Sequence, residues 1–396
     1  MIIINLELIQ IKQLKKRITQ YLPEVMVLVG FVLYYLSQFK YTTMFQFPFT
    51  KIKIVKYSGL LLIALKVIIF DRKKYSMKQY LLIFVVIVLL IITAFFSTYR
   101  FLLEYLLVIL GFRDVNYKKV LYCFMITCSI SLLITMFCSK VGIIENVIVH
   151  RKNGALRESF GIVYPTDFAA YFFYLFSVYI CLNDSPKPLK IFILLEIAIL
   201  VYSVTNARLD FICMVILCAV YWGLPKVSTK ILDSSFSKLV LKNMFLICGI
   251  VIVILTFFYS PNIEILNKLN TVISKRLYYG QEMFKKYGIE FWGQEIDEHG
   301  YGGATQDLGK YKMEFIDSSY VKMMVKYGIV ATAVASIYSL VLTYKFMDRK
   351  KYKIVCVFAV IFINSIIAHH YLEIAYNFMI PLLLCNLDDK DELVNK

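Results

Sequence analysis

Long apolar segments recur along almost the whole chain and restrict its fold more than any other feature. Hydrophobic residues make up 60% of the 396 positions, more than a soluble domain of this length requires. A membrane span needs about 20 mostly apolar residues to cross about 30 Å of hydrocarbon. Lipid offers the backbone no hydrogen-bond partners, so spans of this kind fold as helices. The sequence therefore predicts an all-α, polytopic integral membrane protein in which residues 1–396 form a single membrane domain.

The apolar segments predict twelve spans. They cover residues 22–39, 57–71, 79–97, 99–112, 119–139, 161–182, 188–204, 209–224, 241–260, 317–344, 354–369 and 370–386. Residues 261–316 form the one long connection, and we expect them to be a large extracellular loop between spans nine and ten. Aromatic side chains such as Phe291 and Trp292, with the glycine-rich patch Gly300–Ala304, predict that this loop folds as a cap on the membrane.

The distribution of Lys and Arg predicts the orientation. The short connections on the side of the two termini carry 22 basic residues, against 10 on the opposite side. Since cytoplasmic loops collect basic residues, we expect both termini in the cytoplasm of a multi-pass cell-membrane protein. Residues 140–160, 205–208, 261–316 and 369–370 then face outward. The formal charge of +17 needs no nucleic-acid partner, because this rule accounts for it.

The cysteines and the known catalytic motifs restrict the chemistry further. All nine cysteines fall within or at the ends of apolar segments without a C-x-x-C spacing, so we expect neither disulfides nor a zinc framework. No P-loop, H-E-x-x-H or G-x-S-x-G motif occurs. Asp389 and Asp391 are separated by one residue and resemble a D-x-D metal motif, but they lie in a polar tail. We expect no cofactor and no catalytic metal.

Three of the arginines on the predicted outer side are candidates for binding an anion. Arg157 precedes the span that opens at Tyr164-Pro165, Arg208 lies in a tight turn, and Arg276 begins a predicted amphipathic helix in the long loop. A guanidinium binds phosphate with two parallel hydrogen bonds, so these arginines are candidates for a phosphate clamp. The alternatives are an interfacial arginine or a partner of Glu158 for Arg157, an ion pair with Asp210 for Arg208, and a solvated loop residue for Arg276.

Asp317 leads into the tenth span through Asp317-Ser-Ser-Tyr320. It is either an N-cap, whose oxygen accepts the first free N–H groups of a helix, or a general base that takes a proton from a sugar hydroxyl. We expect Tyr320 and Tyr164 to contact the substrate beside it.

His369 and His370 form the outer turn before the last span. On a helix, His369 would share a face with Glu373, which permits a metal pair, an interfacial structural role or a substrate contact. We assign both histidines to substrate binding. Within the spans, Lys66, Glu104, Glu196 and Asp210 are costly in lipid and should face protein or water, and Lys66 can pair with one of the acids.

Four stretches between about residues 150 and 380 together resemble the O-antigen polymerase and ligase superfamily, most closely the Wzy-type polymerases of Gram-positive capsules. They are Arg157 to Phe168, Thr205-Asn-Ala-Arg208, the start of the long loop at Arg276, and Asp317 to Ile329. The chain departs from the family pattern at three points. Ala207 replaces a Ser, Tyr164 stands where Asn or His is usual, and Asp317-Ser318 aligns with the His-Asn of related ligases.

The resemblance implies a metal-independent, inverting glycosyl transfer between two undecaprenyl-diphosphate-linked repeat units at the outer face of the membrane. Arg157, Arg208 and Asp317 would be catalytic, with Arg276, Tyr320, His369, His370 and Tyr164 binding substrate. Besides the lipid-linked glycan and membrane lipid, the implied partners are a chain-length regulator and a flippase. The alternatives are a flippase or transporter for lipid-linked oligosaccharide, and a glycan ligase of the same superfamily.

The predicted orientation has a direct test. Single cysteines at positions 155 and 300, in a cysteine-free background, should react with a membrane-impermeant thiol reagent on intact cells. A cysteine at position 230, on the predicted cytoplasmic side, is the matched control and should react only after lysis. Protection of positions 155 and 300 until lysis would contradict the orientation.

Overall fold

The computed structural model describes residues 2–150, 154–296, 298 and 315–388 and is mostly helical. The helices are α1 (Ile2–Phe39), α2 (Phe49–Lys66), α3 (Met77–Ser97), α4 (Phe101–Gly111), α5 (Tyr117–Lys140), α6 (Pro165–Leu182), α7 (Pro188–Thr205), α8 (Arg208–Gly223), α9 (Thr229–Leu232), α10 (Ser235–Phe257), α11 (Glu264–Val272), α12 (Arg276–Tyr287), α13 (Ser319–Lys322), α14 (Gly328–Asp348) and α15 (Tyr352–Asn364). Strands β1 (Ile148–His150) and β2 (Leu156–Glu158) form an antiparallel hairpin.

Eight helical segments in the described part of the chain are long and apolar enough to cross a membrane. They are Tyr21–Thr42, Met77–Ser97, Tyr117–Lys140, Pro165–Leu182, Pro188–Thr205, Arg208–Lys226, Ser235–Phe257 and Ser319–Asp348. Each matches one of the predicted spans, which confirms a membrane-embedded, mostly helical protein. The predicted spans 99–112 and 354–369 are the shorter apolar helices α4 and α15, and span 57–71 is the C-terminal part of α2 with a π-helical turn through Asp71.

The helices pack around α6, which is the most enclosed of these segments, with 78% of its apolar window buried. The first two helices cross closely at Gly30 and Gly59, where a side chain on either glycine would collide with the backbone of the other helix. Small residues at such crossings let two helix backbones approach within a membrane. These two glycines therefore allow α1 and α2 to pack backbone against backbone.

The prediction of a helical twelfth span is wrong. Residues 370–386 form two short 3₁₀ turns, His370–Leu372 and Ile380–Leu384, joined by irregular backbone. Two local features oppose an α-helix here. Pro381 has no N–H and clashes with the preceding helical turn. The Asn377 side chain donates to Tyr371 O and accepts from Met379 N, and so competes with helical hydrogen bonds.

We call residues 370–386 the crossing segment, because they run between the two ends of the bundle. At one end the amide of Tyr371 donates to Ser319 Oγ, where α13 begins. At the other end Asn386 pairs with Asn116, just before α5. Most of the segment is buried among the helices. Irregular backbone at membrane depth is tolerated only where protein or a water-filled cavity surrounds it.

Side chains of the surrounding helices satisfy the backbone of the crossing segment. The Tyr35 hydroxyl donates to Ala375 O at 3.0 Å, and the Tyr338 hydroxyl donates to Met379 O at 2.8 Å. The Tyr105 hydroxyl donates to Leu372 O at 2.8 Å and accepts from Ile374 N at 3.1 Å. Lys345 Nζ donates to Leu383 O at 2.8 Å. These donors replace the hydrogen bonds that a helix would have made within itself.

The charged residues within the spans differ in their surroundings, and the expected partner of Lys66 is wrong. Lys66 pairs with the buried carboxylate of Asp71 and donates to Arg113 O, rather than pairing with Glu104 or Asp210. Glu104 pairs with Lys56 and accepts from the Tyr34 hydroxyl. Glu196 is exposed on α7.

The described part of residues 261–316 contains the helices α11 and α12. Helix α12 buries Leu277, Met283 and Phe284, and it packs against α10. After α12, the chain returns to α14 so closely that Gly328 lies against the backbone of Gly293. The patch Gly300–Ala304 lies outside the described residues, as do Asp389 and Asp391.

The hydrogen bonds of Tyr105 predict a stability effect. Tyr105→Phe leaves two buried backbone groups without partners, and each such loss costs about 1–3 kcal/mol. We expect a lower melting temperature for the detergent-solubilised protein. The control is Tyr122→Phe on α5, whose side chain is exposed and which should melt like the wild type. Equal melting temperatures for all three proteins would contradict this account of the crossing segment.

Candidate functional site

A polar cavity of about 440 Å³ lies at the end of the bundle where α6, α8 and α13 begin. We call it the polar cavity. Every predicted site residue except Tyr320 lines it. Its lining includes Arg157, Tyr164, Arg208, Arg276, Asp317, His369 and His370. These residues come from segments more than 200 positions apart in the chain, so the sequence motifs converge on one place.

The β-hairpin positions Arg157. Within it Arg157 pairs with Val149 across the two strands. After β2 the chain turns through Phe160 and Gly161, both with positive φ, and a side chain on Gly161 would collide with Ile144. The carbonyl of Gly161 accepts from Met44 N at 2.8 Å, which fastens this turn to the segment after α1. The glycine of the Arg157-to-Phe168 motif is therefore needed for the turn itself.

Arg157 is almost fully buried yet incompletely bonded. Its Nε donates to Thr205 O at 2.6 Å, and its guanidinium lies 5.4 Å from the centre of the Tyr164 ring. Nη2 has no hydrogen-bond partner among the described residues. Burial lowers the pKa of Arg157, and the nearby charge of Arg276 lowers it further. An anion in the cavity would relieve both effects. Glu158, the alternative partner, instead accepts from Asn146.

Arg208 reaches the same cavity from the first turn of α8. The chain enters α8 through Asn206 in the left-handed region, with φ of 50°, a conformation that asparagine adopts more readily than most residues. Asp210, the alternative partner of Arg208, accepts from Asn364 Nδ2 at 3.1 Å instead. Neither Arg208 nor Arg157 has an ion-pair partner among the residues that the structure describes. The Thr205 contact joins the two arginine motifs directly.

Arg276 and Asp317 form the third part of the cavity. Arg276 Nη2 lies 3.0 Å from Asp317 Oδ2, while Nε donates to Ile367 O and Nη1 to Ile273 O. Asp317 is not a helix cap, since Ser318 occupies the N-cap position of α13. The other carboxylate oxygen, Oδ1, accepts no hydrogen bond from the described residues. Burial raises the pKa of Asp317, although Arg276 opposes this shift, so the carboxylate is a stronger base than an ordinary aspartate.

The two histidines meet two carboxylates at the cavity floor. His370 Nδ1 lies 3.0 Å from Glu373 Oε2, and its Nε2 lies 3.6 Å from Asp167 Oδ1. His369 Nε2 lies 3.6 Å from Glu373 Oε1. Glu373 therefore bridges both rings on a tight turn rather than on the helix that the sequence predicted. Ligand atoms of Asp167, His369 and His370 lie within 4.8 Å of one another, close enough to share a metal ion.

Sequence reasoning missed three charged residues of the cavity. Asp167 follows Pro165 in the first turn of α6, and its place in the Tyr164-Pro165 motif was a signal that was not used. Lys322 and Glu298 also line the cavity, 3.3 Å apart. Glu298 binds Lys326 at 2.8 Å as well, which ties the long loop to the start of the tenth span. No motif marks that pairing in the sequence.

Tyr320 lies outside the polar cavity. It is 3% exposed, its hydroxyl donates to Phe362 O at 3.0 Å, and its ring packs against Phe245 at 5.0 Å. A side chain in that position has no access to a substrate in the cavity. The predicted substrate contact is therefore replaced by a packing role between α10 and α15.

Comparison with protein-family models, curated proteins and solved structures finds no match to this chain. The chemistry of the site must then be argued from the cavity itself. Two unpaired guanidinium groups can bind an anion with two negative charges, and a partly free carboxylate beside them can accept a proton. The arrangement suits a reaction in which a phosphate-bearing group leaves while a hydroxyl is deprotonated.

Proposed function

We propose that this protein is a glycosyltransferase of the Wzy-type polymerase class. It would join undecaprenyl-diphosphate-linked oligosaccharide repeat units into a capsular or surface polysaccharide at the outer face of the cytoplasmic membrane. The observation that carries the proposal is the pair Arg157 and Arg208, which face one cavity without ion-pair partners among the described residues. Their motifs are two of those that resemble the polymerase superfamily.

In the proposed reaction, an acceptor sugar hydroxyl attacks the anomeric carbon of the donor glycan. The bond from that carbon to the diphosphate oxygen breaks, and inversion follows from attack on the opposite face. Arg157 and Arg208 stabilise the charge that develops on the leaving diphosphate. Asp317 Oδ1 takes the proton of the acceptor hydroxyl, while Arg276 holds the carboxylate in place through Oδ2. No metal ion takes part in this scheme.

The proposed topology has twelve passages through the membrane. The eight long apolar helices, together with α2, α4, α15 and the crossing segment, would make twelve passages and leave both termini in the cytoplasm. The polar cavity and the long loop of residues 261–316 then face outward. A lipid-linked substrate can enter the cavity with its isoprenoid chain in the bilayer, and holding two such substrates together supplies proximity. A chain-length regulator and a flippase are the protein partners that this function requires.

A transporter for lipid-linked oligosaccharide is the second candidate. The broken crossing segment favours it, because interrupted spans form the binding sites of many transporters. In those sites the free carbonyl groups bind an ion or substrate. Here hydroxyl and amine groups of neighbouring helices occupy carbonyls along the segment, including those of Ala375 and Met379. A ligase of the same superfamily would differ from the polymerase only in its acceptor.

The arginine pair yields the first test. Arg157→Ala and Arg208→Ala should each lower transfer between purified lipid-linked repeat units by about 10²–10³-fold, as expected for loss of one donor to a developing anion. Lysine should rescue only partly, because an ammonium lacks the two-pronged geometry. Arg349→Ala is the control, since Arg349 is exposed and pairs with Asp388 near the opposite end of the bundle. Normal polymer length in both alanine variants, at equal folded protein, would defeat the proposal.

Asp317 yields the second test. Asn preserves the shape of the side chain but cannot accept the proton, so Asp317→Asn should lower the rate by about 10²–10⁴-fold. Because burial raises the pKa of Asp317, the wild-type rate should fall on acidification at a higher pH than for an ordinary aspartate.

The control for this test is Asp388→Asn, a change at an exposed position that should be silent. Near-wild-type turnover of Asp317→Asn would move the base elsewhere, with His369 next to be examined. Loss of wild-type activity in EDTA would refute the metal-independent mechanism and point to Asp167, His369 and His370 as ligands.

A further inference from the structure

An apolar groove of about 370 Å³ opens on the side of the bundle and is separate from the polar cavity. It lies between α3 and α4 on one side and α14 on the other, and the crossing segment forms its floor. We call it the apolar groove. Its lining is almost entirely hydrophobic, with Leu106, Val334 and Ile380 among the side chains that face it.

The groove exists because α3 packs at only one of its ends. The buried residues of this helix are Leu90, Thr93 and Ser97, all in its C-terminal half. The N-terminal half stands away from the bundle, with residues such as Leu82 largely exposed. In a bilayer, a gap with such walls cannot hold ordered water, since water needs several polar partners. A hydrocarbon chain is the occupant that these walls favour.

The mouth of the groove is basic and incompletely bonded. Arg113 and Tyr75 lie there, with the guanidinium 4.1 Å from the centre of the ring. Among the described residues, neither Arg113 Nε nor the Tyr75 hydroxyl has a hydrogen-bond partner. Arg113 Nη2 donates to Lys74 O, and the nearest carboxylate oxygen of Asp114 is 3.9 Å from Nε. Residues 66–78 and 113–114 carry six basic and two acidic side chains, so the mouth has a positive charge.

We propose that the apolar groove is a binding site for one anionic glycerophospholipid. One acyl chain lies between α3 and α14, and the phosphate lies at Arg113, where it supplies the acceptor that the guanidinium and the Tyr75 hydroxyl lack. Lys74, close by, is paired with Asp71 and Asp114, so Arg113 is the cation that the phosphate contacts. The lipid fills the space beside the crossing segment, whose residues Tyr371 and Leu372 line the groove while His369 and His370 line the polar cavity. This inference does not depend on the proposed function.

Native mass spectrometry of the purified full chain can test the site with phosphatidylglycerol and phosphatidylcholine of identical acyl chains. The wild type should retain one phosphatidylglycerol about tenfold or more over phosphatidylcholine, because both lipids carry a phosphate but the positively charged mouth repels the choline cation. Arg113→Gln should abolish this preference. Val334→Trp, which fills the groove, should lower retention of both lipids.

Two variants serve as matched controls. Arg349→Gln removes an exposed arginine away from the groove, and Ala333→Trp places the same bulky ring on an exposed position of α14 outside it. Both should retain lipid like the wild type, and gel filtration should show all variants folded. Equal retention of the two lipids by the wild type would overturn the proposal. A second result would also overturn it. If undecaprenyl phosphate displaces phosphatidylglycerol from the wild type, and Val334→Trp abolishes this displacement, the groove binds an isoprenoid substrate.

Discussion

The structure depends on satisfying the backbone of the crossing segment inside the bundle. Its carbonyl and N–H groups cannot turn to water, and each unpaired group would cost several kcal/mol in hydrocarbon. Tyrosine hydroxyls from α1, α4 and α14 supply the missing partners and thereby fix the position of those helices around the segment. A broken span is stable here because the surrounding helices carry donors at the required depths.

This arrangement also sets the geometry of the polar cavity. The turn that begins the crossing segment holds His370 between Asp167 of α6 and Glu373. The same turn is fastened to α13 through Ser319, whose hydroxyl donates to Ala368 O and accepts from Tyr371 N. If residues 370–386 were a helix, His370 and Glu373 would lie three positions apart on one face of it. The irregular backbone instead brings both histidines to the start of α6 and α13.

The cations of the polar cavity differ in whether they have an ion-pair partner among the described residues. Arg276 and Lys322 are neutralised by Asp317 and Glu298, which makes them parts of the framework. Arg157 and Arg208 keep their charge available, and the burial of Arg157 makes an unneutralised guanidinium costly until an anion binds. An anion that bound beside Arg157 would remove this cost.

The sequence by itself determined the membrane-embedded helices, because hydropathy acts locally and each helix satisfies its own backbone. It also placed Arg157, Arg208 and Arg276 on one side of the predicted spans, and all three line the polar cavity. It did not predict the break at residues 370–386, which depends on tyrosines far away in the chain. Only the tertiary structure decided that Tyr320 packs in the core and that Asp167 joins the cavity. The pairing of Arg276 with Asp317, which leaves Arg157 and Arg208 free, likewise depends on which charges converge in space, and sequence spacing does not encode that convergence.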